Sequence, residues 1–169
     1  MAIPLKIYYY KSRFGGVKDT GIDGRVGMEI PNFKLEAEEY EKILLVLASL
    51  HQKLKADSVF LINRTGQEIA HEGSSNRFDV QALSSLAASN LAATFGLASV
   101  IGEREFERIY HKGEKTNILM SPIGEFAFLL FLLRDREEHD LDLKAIRHAS
   151  LILEDVLKKC SRRLRPGRR

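Results

Sequence analysis

"ILMSPIGEFAFLLFLL" (residues 118–133) carries the strongest structural signal in the chain, because it ends in eight consecutive apolar residues, 126–133. A membrane-spanning helix needs roughly 20 such residues, so this run is too short for one. Pro122 and Gly124 are strong local breakers between two apolar pieces, and this arrangement predicts a β-hairpin. Its second strand is apolar on both faces, which is typical of a central strand covered from above and below. The stretch therefore predicts a three-layer domain.

The composition is that of an ordinary globular domain. The chain has 169 residues, of which 44% are hydrophobic and 29% are charged, enough for one sizeable core with tails. Residues 1–10 contain no uninterrupted apolar stretch of the kind found in secretory signals. Cys160 is the single cysteine, so neither an internal disulfide nor a thiolate metal site is expected. Both observations favour a reducing, cytoplasmic location.

Charge is distributed unevenly along the chain. Residues 1–34 hold six Lys and Arg against three Asp and Glu, residues 35–157 hold 13 against 20, and residues 158–169 hold seven against none. A nucleic-acid-binding domain carries positive charge on its folded surface, so nucleic acid is not an expected partner. We divide the chain into a glycine-rich extension of uncertain structure (1–34), a folded domain (35–158) and a basic tail (159–169).

The basic tail offers a contact for an anionic membrane or partner, through Arg162, Arg163, Arg165, Arg168 and Arg169. The alternative interpretation is a disordered, solubilising end. Salt-dependent binding that is lost on deletion of residues 161–169 would favour a binding role.

Periodicity and turn residues predict the first four elements of the domain. A helix begins at Leu35, with acidic residues in its opening turns and apolar residues at helical spacing. Two strands follow at residues 58–63 and 67–72. A second helix comes next, and Asp79 and Gly102 are its candidate N-cap and C-cap.

The remaining segment predicts three strands and a last helix. Breaks at Gly113 and Gly124 separate the strands, and residues 141–157 have helical spacing. The order is αββαβββα, which fits an α/β (α+β) three-layer sandwich with a five-stranded antiparallel sheet. We expect the second helix on one face, the other two helices on the opposite face, and residues 126–133 at the centre of the sheet.

The second helix has no charged side chain from residue 80 to residue 101, although a helix that faces water usually shows Lys and Glu. Its small residues form one narrow stripe on a helical wheel: Ser85, Ala88, Ala92, Gly96 and Ser99. We expect the opposite side to pack on the sheet: Leu83, Leu86, Leu97 and Ile101, with Asn90 and Thr94. The stripe would then face away from the sheet.

An outward stripe of small, uncharged residues suggests burial against another chain, since small side chains let two backbones approach closely. Gly96 within a helix costs about 1 kcal/mol relative to alanine, and a close contact would offset that cost. The alternative is that the extension of residues 1–34 folds back over this face.

No pattern typical of an active site or a cofactor site appears. The five histidines are dispersed and lack metal-ligand spacing: His51, His71, His111, His139 and His148. The glycines of residues 15–27 are not followed by the Lys-Ser/Thr pair of a phosphate loop, and no G-x-S-x-G elbow occurs. The acidic run of residues 135–142 matches no calcium loop and is interpreted as a solvated turn. An enzyme with its own active site or cofactor is therefore not expected.

Three segments, in this element order, carry a family resemblance: FLINRTGQEIAHEG (60–73), LSSLAASNLAATFGLASVIGEREF (83–106) and HKGEKTNILMSPIGEFAFLLFLL (111–133). Together they resemble the Roadblock family, named after the dynein light chain, and are most similar to its bacterial MglB-type branch. The resemblance covers residues 35–158 and implies a Roadblock or profilin-like sandwich.

The resemblance also implies a homodimer, formed by the second helix and by an edge strand that contains Phe106, Arg108 and Tyr110. It places the stripe Ser85, Ala88, Ala92, Gly96 and Ser99 at a platform that binds a Ras-like small GTPase of MglA type. MglB-type proteins are GTPase-activating proteins in cell polarity and motility that reposition the catalytic residues of the GTPase, so we nominate no arginine finger. The alternative is a Roadblock scaffold that binds a GTPase or other proteins without accelerating hydrolysis.

Overall fold

The computed structural model describes the backbone of residues 27–30 and 33–164 and the side chains of residues 33–161. The chain divides into two compact units. Residues 43–155 form the larger unit, which contains the main sheet, and the smaller unit consists of residues 1–42 and 156–169.

The smaller unit contains a β-hairpin. β1 (Gly27–Ile30) pairs antiparallel with β2 (Phe33–Glu36), and α1 (Ala37–Leu54) follows directly. The prediction that the helix begins at Leu35 is therefore wrong, because this residue lies in β2. Phe33 and Leu35 are buried and alternate with half-buried polar residues, and this two-residue period belongs to a strand.

Glu39 connects separate parts of the smaller unit. One of its carboxylate oxygens accepts a hydrogen bond from the backbone N–H of Glu36 at 2.9 Å and one from the thiol of Cys160 at 3.3 Å. Cys160 lies in α3 (Leu143–Leu164), which continues beyond residue 157, its predicted end. The side chains of the five tail arginines lie outside the described residues, so their proposed anionic contact stays a prediction: Arg162, Arg163, Arg165, Arg168 and Arg169.

The main sheet contains five antiparallel strands in the order β4-β3-β7-β6-β5. They are β3 (Ser58–Asn63), β4 (Glu68–Gly73), β5 (Ile109–His111), β6 (Asn117–Ile123) and β7 (Ala127–Leu133). β7 lies in the middle, and all seven of its residues are buried. The prediction that this stretch supplies the central strand is confirmed, although the strand begins at Ala127 and the predicted first residue, Phe126, lies in the preceding turn.

One face of the sheet packs against α2 (Val80–Val100). Leu130 of β7 lies opposite Phe60 of β3 and Met120 of β6, and these side chains belong to one core cluster that includes Leu91 of α2. The large side chains in this cluster come mainly from the strands, while α2 contributes alanines beside Leu91.

The other face of the sheet is also shielded from solvent. Leu61, Leu129 and Phe131 point away from the first cluster by strand alternation and are fully buried. The third layer comes from buried side chains of the other two helices within the larger unit: Ile43, Leu47 and Leu50 of α1, and Ile146, Ala149 and Leu153 of α3. The predicted three-layer sandwich, with three helices and a five-stranded antiparallel sheet, is confirmed.

The β3–β4 turn is fixed by Asn63. Its side-chain oxygen accepts hydrogen bonds from the backbone N–H groups of Thr65 and Gln67 at 3.1 and 2.8 Å. Gly66 has a φ of +85°, and a Cβ there would lie 2.9 Å from the Cα of Ser85 in α2. This turn therefore needs glycine both for its left-handed conformation and for its close approach to the helix.

Candidate partner-binding surface

α2 is a 21-residue helix that begins at a side-chain cap. Asp79 accepts a hydrogen bond from the backbone N–H of Ala82 at 3.0 Å, as predicted for an N-cap. At the other end, the C-cap is Ile101, and the predicted cap, Gly102, follows it with a φ of +82°. Among the described helices, α2 alone is long and apolar enough to cross a membrane, a test that core helices of soluble proteins also pass.

The side of α2 that packs on the sheet differs from the predicted one. Its buried residues are Ser84, Ala87, Ala88, Leu91 and Ala98. Leu83 and Thr94 are only half-buried, and the other residues predicted to face the sheet are exposed: Leu86, Asn90, Leu97 and Ile101. Because Phe60 and Phe128 already fill the space above the strands, the helix presents small side chains to them and lies close to the sheet.

Four large apolar side chains of the helix and its cap are consequently exposed: Leu86 (69%), Leu97 (65%), Val100 (85%) and Ile101 (66%). We call these four residues the apolar platform. The sequence prediction places Leu86, Leu97 and Ile101 against the sheet and does not include Val100. Their outward position had one signal in the sequence, since apolar residues spread around the helix cannot all face one sheet.

The small-residue stripe lies beside this platform. Ser85, Ala92, Gly96 and Ser99 are exposed, as predicted, whereas Ala88 is 8% exposed and belongs to the core cluster. A Cβ added to Gly96 would meet no atom within 4 Å. The packing of the described chain therefore does not account for a glycine at this position.

Arg64 holds the C-terminal half of α2. Its guanidinium carbon lies 4.5 Å from the centroid of the Phe95 ring, and its Nη2 donates a hydrogen bond to the backbone carbonyl of Gly124. Burial lowers the pKa of Arg64, and the nearby carboxylate of Glu105 opposes that shift. We call these two contacts of Arg64 the clamp. They connect α2 to the β3–β4 turn, which contains Arg64, and to the β6–β7 turn, which contains Gly124.

β5 is the edge strand next to this surface. Of the three residues predicted on it, Tyr110 lies in the strand and pairs opposite Leu119, whereas Phe106 and Arg108 precede it. In the part of the chain that the structure describes, no strand pairs with the outer edge of β5. The His111 ring Nε2 lies 3.3 Å from the side-chain oxygen of Asn90 in α2. The edge strand and α2 are therefore neighbours.

Residues 136–138, which we call the acidic segment, contact side chains in and beside β5. Arg108 contacts Glu138 and Lys112 contacts Glu137, each at 2.9 Å, and the Tyr110 hydroxyl donates to a backbone carbonyl in the same segment at 3.3 Å. Burial raises the pKa of Tyr110, and the Glu137 carboxylate adds to the effect. A hydrogen bond to Glu137 likewise raises the pKa of Lys112.

The described residues contain no group of three or more His, Cys, Asp and Glu side chains that could hold a metal ion. What the structure brings together is α2, with its exposed stripe and apolar platform, and the open edge of β5. This arrangement is suited to protein contacts.

Comparison with known families gives one match, to the Roadblock/LC7 domain over residues 42–133. Comparison with curated protein sequences gives no match.

Several solved structures are similar to the chain, and MglB proteins are among them. MglB of Myxococcus xanthus is 34% identical with a TM-score of 0.67, over 72% of this chain and 92% of that one. The gliding protein MglB from Thermus thermophilus is 26% identical with a TM-score of 0.70, over 78% of this chain and 100% of that one. A structure of MglB in a tetrameric arrangement is 27% identical with a TM-score of 0.70, over 78% of this chain and 98% of that one.

Proposed function

The chain belongs to the Roadblock/LC7 family, and on that basis we propose that it is a homodimeric regulator of a Ras-like small GTPase of MglA type. We propose further that it acts as a GTPase-activating protein. The exposed, uncharged face of α2, formed by the stripe and the apolar platform, is the observation that carries the proposal. The family resemblance supplies the class of partner, and the surface supplies the place where it would bind.

The apolar platform supports association with another protein. Leu97, Val100 and Ile101 are exposed together at the C-terminal end of α2, with Leu86 about three turns earlier, and clustered exposed apolar side chains mark interaction sites. Removing a leucine-sized side chain from water contributes about 1.5–3 kcal/mol, so four such side chains supply a useful driving force for association.

Gly96 supports close approach of a second helix. The open space around it lets another backbone come near without meeting a Cβ. Ala92 and Ser99, one turn away on either side, are also small and exposed. Two copies of α2 that cross at Gly96 would bury the stripe and part of the platform together.

The open edge of β5 supports the same dimer. Its outer backbone groups have no partner strand in the described chain, and an open edge is a template for pairing with another chain. The contact between His111 and Asn90 places this edge beside α2. One second copy could therefore continue the sheet and pack against α2 at once.

Acceleration of GTP hydrolysis would then be indirect. Stabilising the γ-phosphate charge often requires an inserted arginine, but residues 80–101 contain none. The dimer would instead bind the hydrolysis-competent arrangement of the GTPase more tightly than the idle one. A preference of about 3 kcal/mol corresponds to a roughly hundredfold faster reaction.

The test is single-turnover GTP hydrolysis by an MglA-type GTPase, with and without this protein. We expect acceleration by the wild type and its loss in the double variant Ala92→Arg/Gly96→Arg. Ser49→Arg, an exposed position on α1, is the matched control and should still accelerate. Binding without acceleration would identify a scaffold, and absence of binding would overturn the proposal.

Self-association is tested separately by analytical ultracentrifugation. Leu97→Arg should weaken the dimer at least tenfold, whereas Leu45→Arg should leave it unchanged. Leu45 lies on α1 and is 67% exposed, close to the 65% of Leu97. The two variants therefore make the same substitution at equally exposed positions on different helices. Equal effects of the two changes would refute a dimer built on α2.

A further inference from the structure

A pocket of about 330 Å³ opens where β3 begins and β7 ends. Its lining includes Asp57, Phe78, Leu132 and Arg134, and α2 contributes Leu83. None of these residues belongs to the stripe or to the apolar platform. The volume lies at the lower end of the roughly 300–1,000 Å³ of ligand pockets, so a small organic molecule fits.

The inner wall of the pocket is apolar and fixed. Leu132 is 8% exposed and belongs to the core cluster, and Leu83 is half-buried and packs against that cluster. The Phe78 ring lies edge-on to Phe60, with the two centroids 6.0 Å apart, so its position is tied to the core. These three side chains form a preformed apolar surface for the body of a ligand.

The rim of the pocket is positively charged. Arg134 Nη2 lies 3.2 Å from an oxygen of Asp57, and these two charges offset each other. Arg77 also lines the pocket and has no ion pair or hydrogen bond to any residue within the described part of the chain. Within residues 33–161, the Arg77 guanidinium therefore has no counter-charge at the mouth of this apolar pocket.

We propose that this pocket binds a small organic carboxylate with an apolar body. A guanidinium presents two parallel N–H donors that match the two oxygens of a carboxylate. Arg77 can bind a carboxylate in this way, because no described residue pairs with its guanidinium. Thr116 also lines this pocket, and its hydroxyl is a further candidate donor to the carboxylate. The body of the ligand would lie against Phe78, Leu83 and Leu132. Such a ligand could be a free acid or the C-terminal residue of a peptide, since both present the same chemistry.

The test is titration of the full chain with 3-phenylpropionate, followed by methyl NMR of Leu83 and Leu132. The neutral isostere 3-phenylpropionamide is titrated in parallel. We expect shifts of both leucines with the acid and at least tenfold weaker binding of the amide. Because a free-surface charge is screened by salt, binding of the acid should also weaken in 0.5 M NaCl.

Titration with N-acetylglycyl-phenylalanine distinguishes the two sources of the carboxylate, a free acid and a peptide C-terminus. If it binds more tightly than 3-phenylpropionate, the natural ligand is a peptide C-terminus, and if it is excluded, the ligand is a free acid. Either result supports the pocket, provided that 3-phenylpropionate binds at least tenfold more tightly than 3-phenylpropionamide.

The variant Arg77→Gln should weaken binding of the acid at least tenfold. Arg104→Gln is the matched control, because Arg104 is also exposed and does not line this pocket. Equal affinity for acid and amide, or equal effects of the two substitutions, would overturn the proposal. This binding assay requires no GTPase, so a negative result would overturn the ligand proposal without bearing on the function proposed above.

Discussion

The guanidinium group of Arg64 lies over the aromatic ring of Phe95, with its central carbon 4.5 Å from the ring centroid. The same group donates a hydrogen bond to the carbonyl of Gly124. One side chain thus joins the β3–β4 turn to α2 and to the β6–β7 turn. Since the exposed face of α2 lies on the helix that Arg64 holds, this contact positions the candidate surface.

Arg64→Gln should lower the free energy of unfolding by about 1–3 kcal/mol. It removes a cation–π contact worth about 0.5–2 kcal/mol and a hydrogen bond worth about 1 kcal/mol. Urea unfolding followed by circular dichroism measures the loss. Arg104→Gln, at an exposed site, should change stability by less than about 0.5 kcal/mol, and an equally small effect at Arg64 would refute the clamp.

Leu91→Ala and Leu86→Ala test which side of α2 faces the sheet. Leu91 is 2% exposed and Leu86 is 69% exposed, so the same substitution on one helix meets opposite environments. We expect a loss of about 2–5 kcal/mol for Leu91→Ala from the cavity that it leaves. Leu86→Ala should cost less than about 1 kcal/mol when measured at protein concentrations too low for association. A reversed order would restore the orientation predicted from the sequence.

Gly66→Ala and Gly96→Ala should change stability in opposite directions. At Gly66 the φ of +85° and the nearby Ser85 Cα disfavour a Cβ, so a loss of at least about 1–2 kcal/mol is expected. At Gly96 the space is open, and alanine should stabilise the isolated chain by about 1 kcal/mol through helix propensity. Thermal unfolding of dilute protein gives both values. Destabilisation by Gly96→Ala would show that the isolated chain itself needs this glycine.

Alkaline pH should weaken the contact between β5 and the acidic segment. The pKa of Tyr110 is raised above its ordinary value of 10.0, chiefly by burial, so the folded chain keeps this proton after the unfolded chain has lost it. The stabilisation is complete below about pH 10 and is lost as the pH rises through the folded pKa. The raised pKa of Lys112 acts in the same window.

Urea midpoints measured from pH 8 to pH 11 test this pH dependence. We expect Tyr110→Phe to reduce the alkaline loss of stability, because phenylalanine has no proton to release. Glu137→Gln should lower the pKa of Tyr110, since the Glu137 carboxylate helps to raise it. An identical pH profile for wild type and Tyr110→Phe would contradict the assignment.

The fold was largely predictable from the sequence because its signals are local. Residues 126–133 form an apolar run too long to leave any face of a strand in water, and Asp79 is a cap by chemistry as well as by position. The start of α1 was harder to predict from the sequence. Leu35 fits both a helical and a two-residue period, and the hydrogen-bonded partner strand that decides between them lies seven positions earlier, at Met28.

The rotation of α2 about its axis could not be read from the sequence. Apolar residues surround this helix, so periodicity alone selects no inward side. The choice depends on the volumes of Phe60 and Phe128 on the sheet, which are distant in the chain. The sequence prediction therefore places Leu97 inward and Ala88 outward, whereas the structure shows the reverse.

The outward position of the large residues of α2 separates two kinds of selection on one helix. Ala87, Ala88 and Leu91 hold the helix to the sheet, so substitutions there alter whether the chain folds. Leu97 and Val100 contact water, so substitutions there should change stability little, and under the proposed function they would alter which partner binds. Duplicated copies of such a gene could diverge in their partners while keeping the same scaffold.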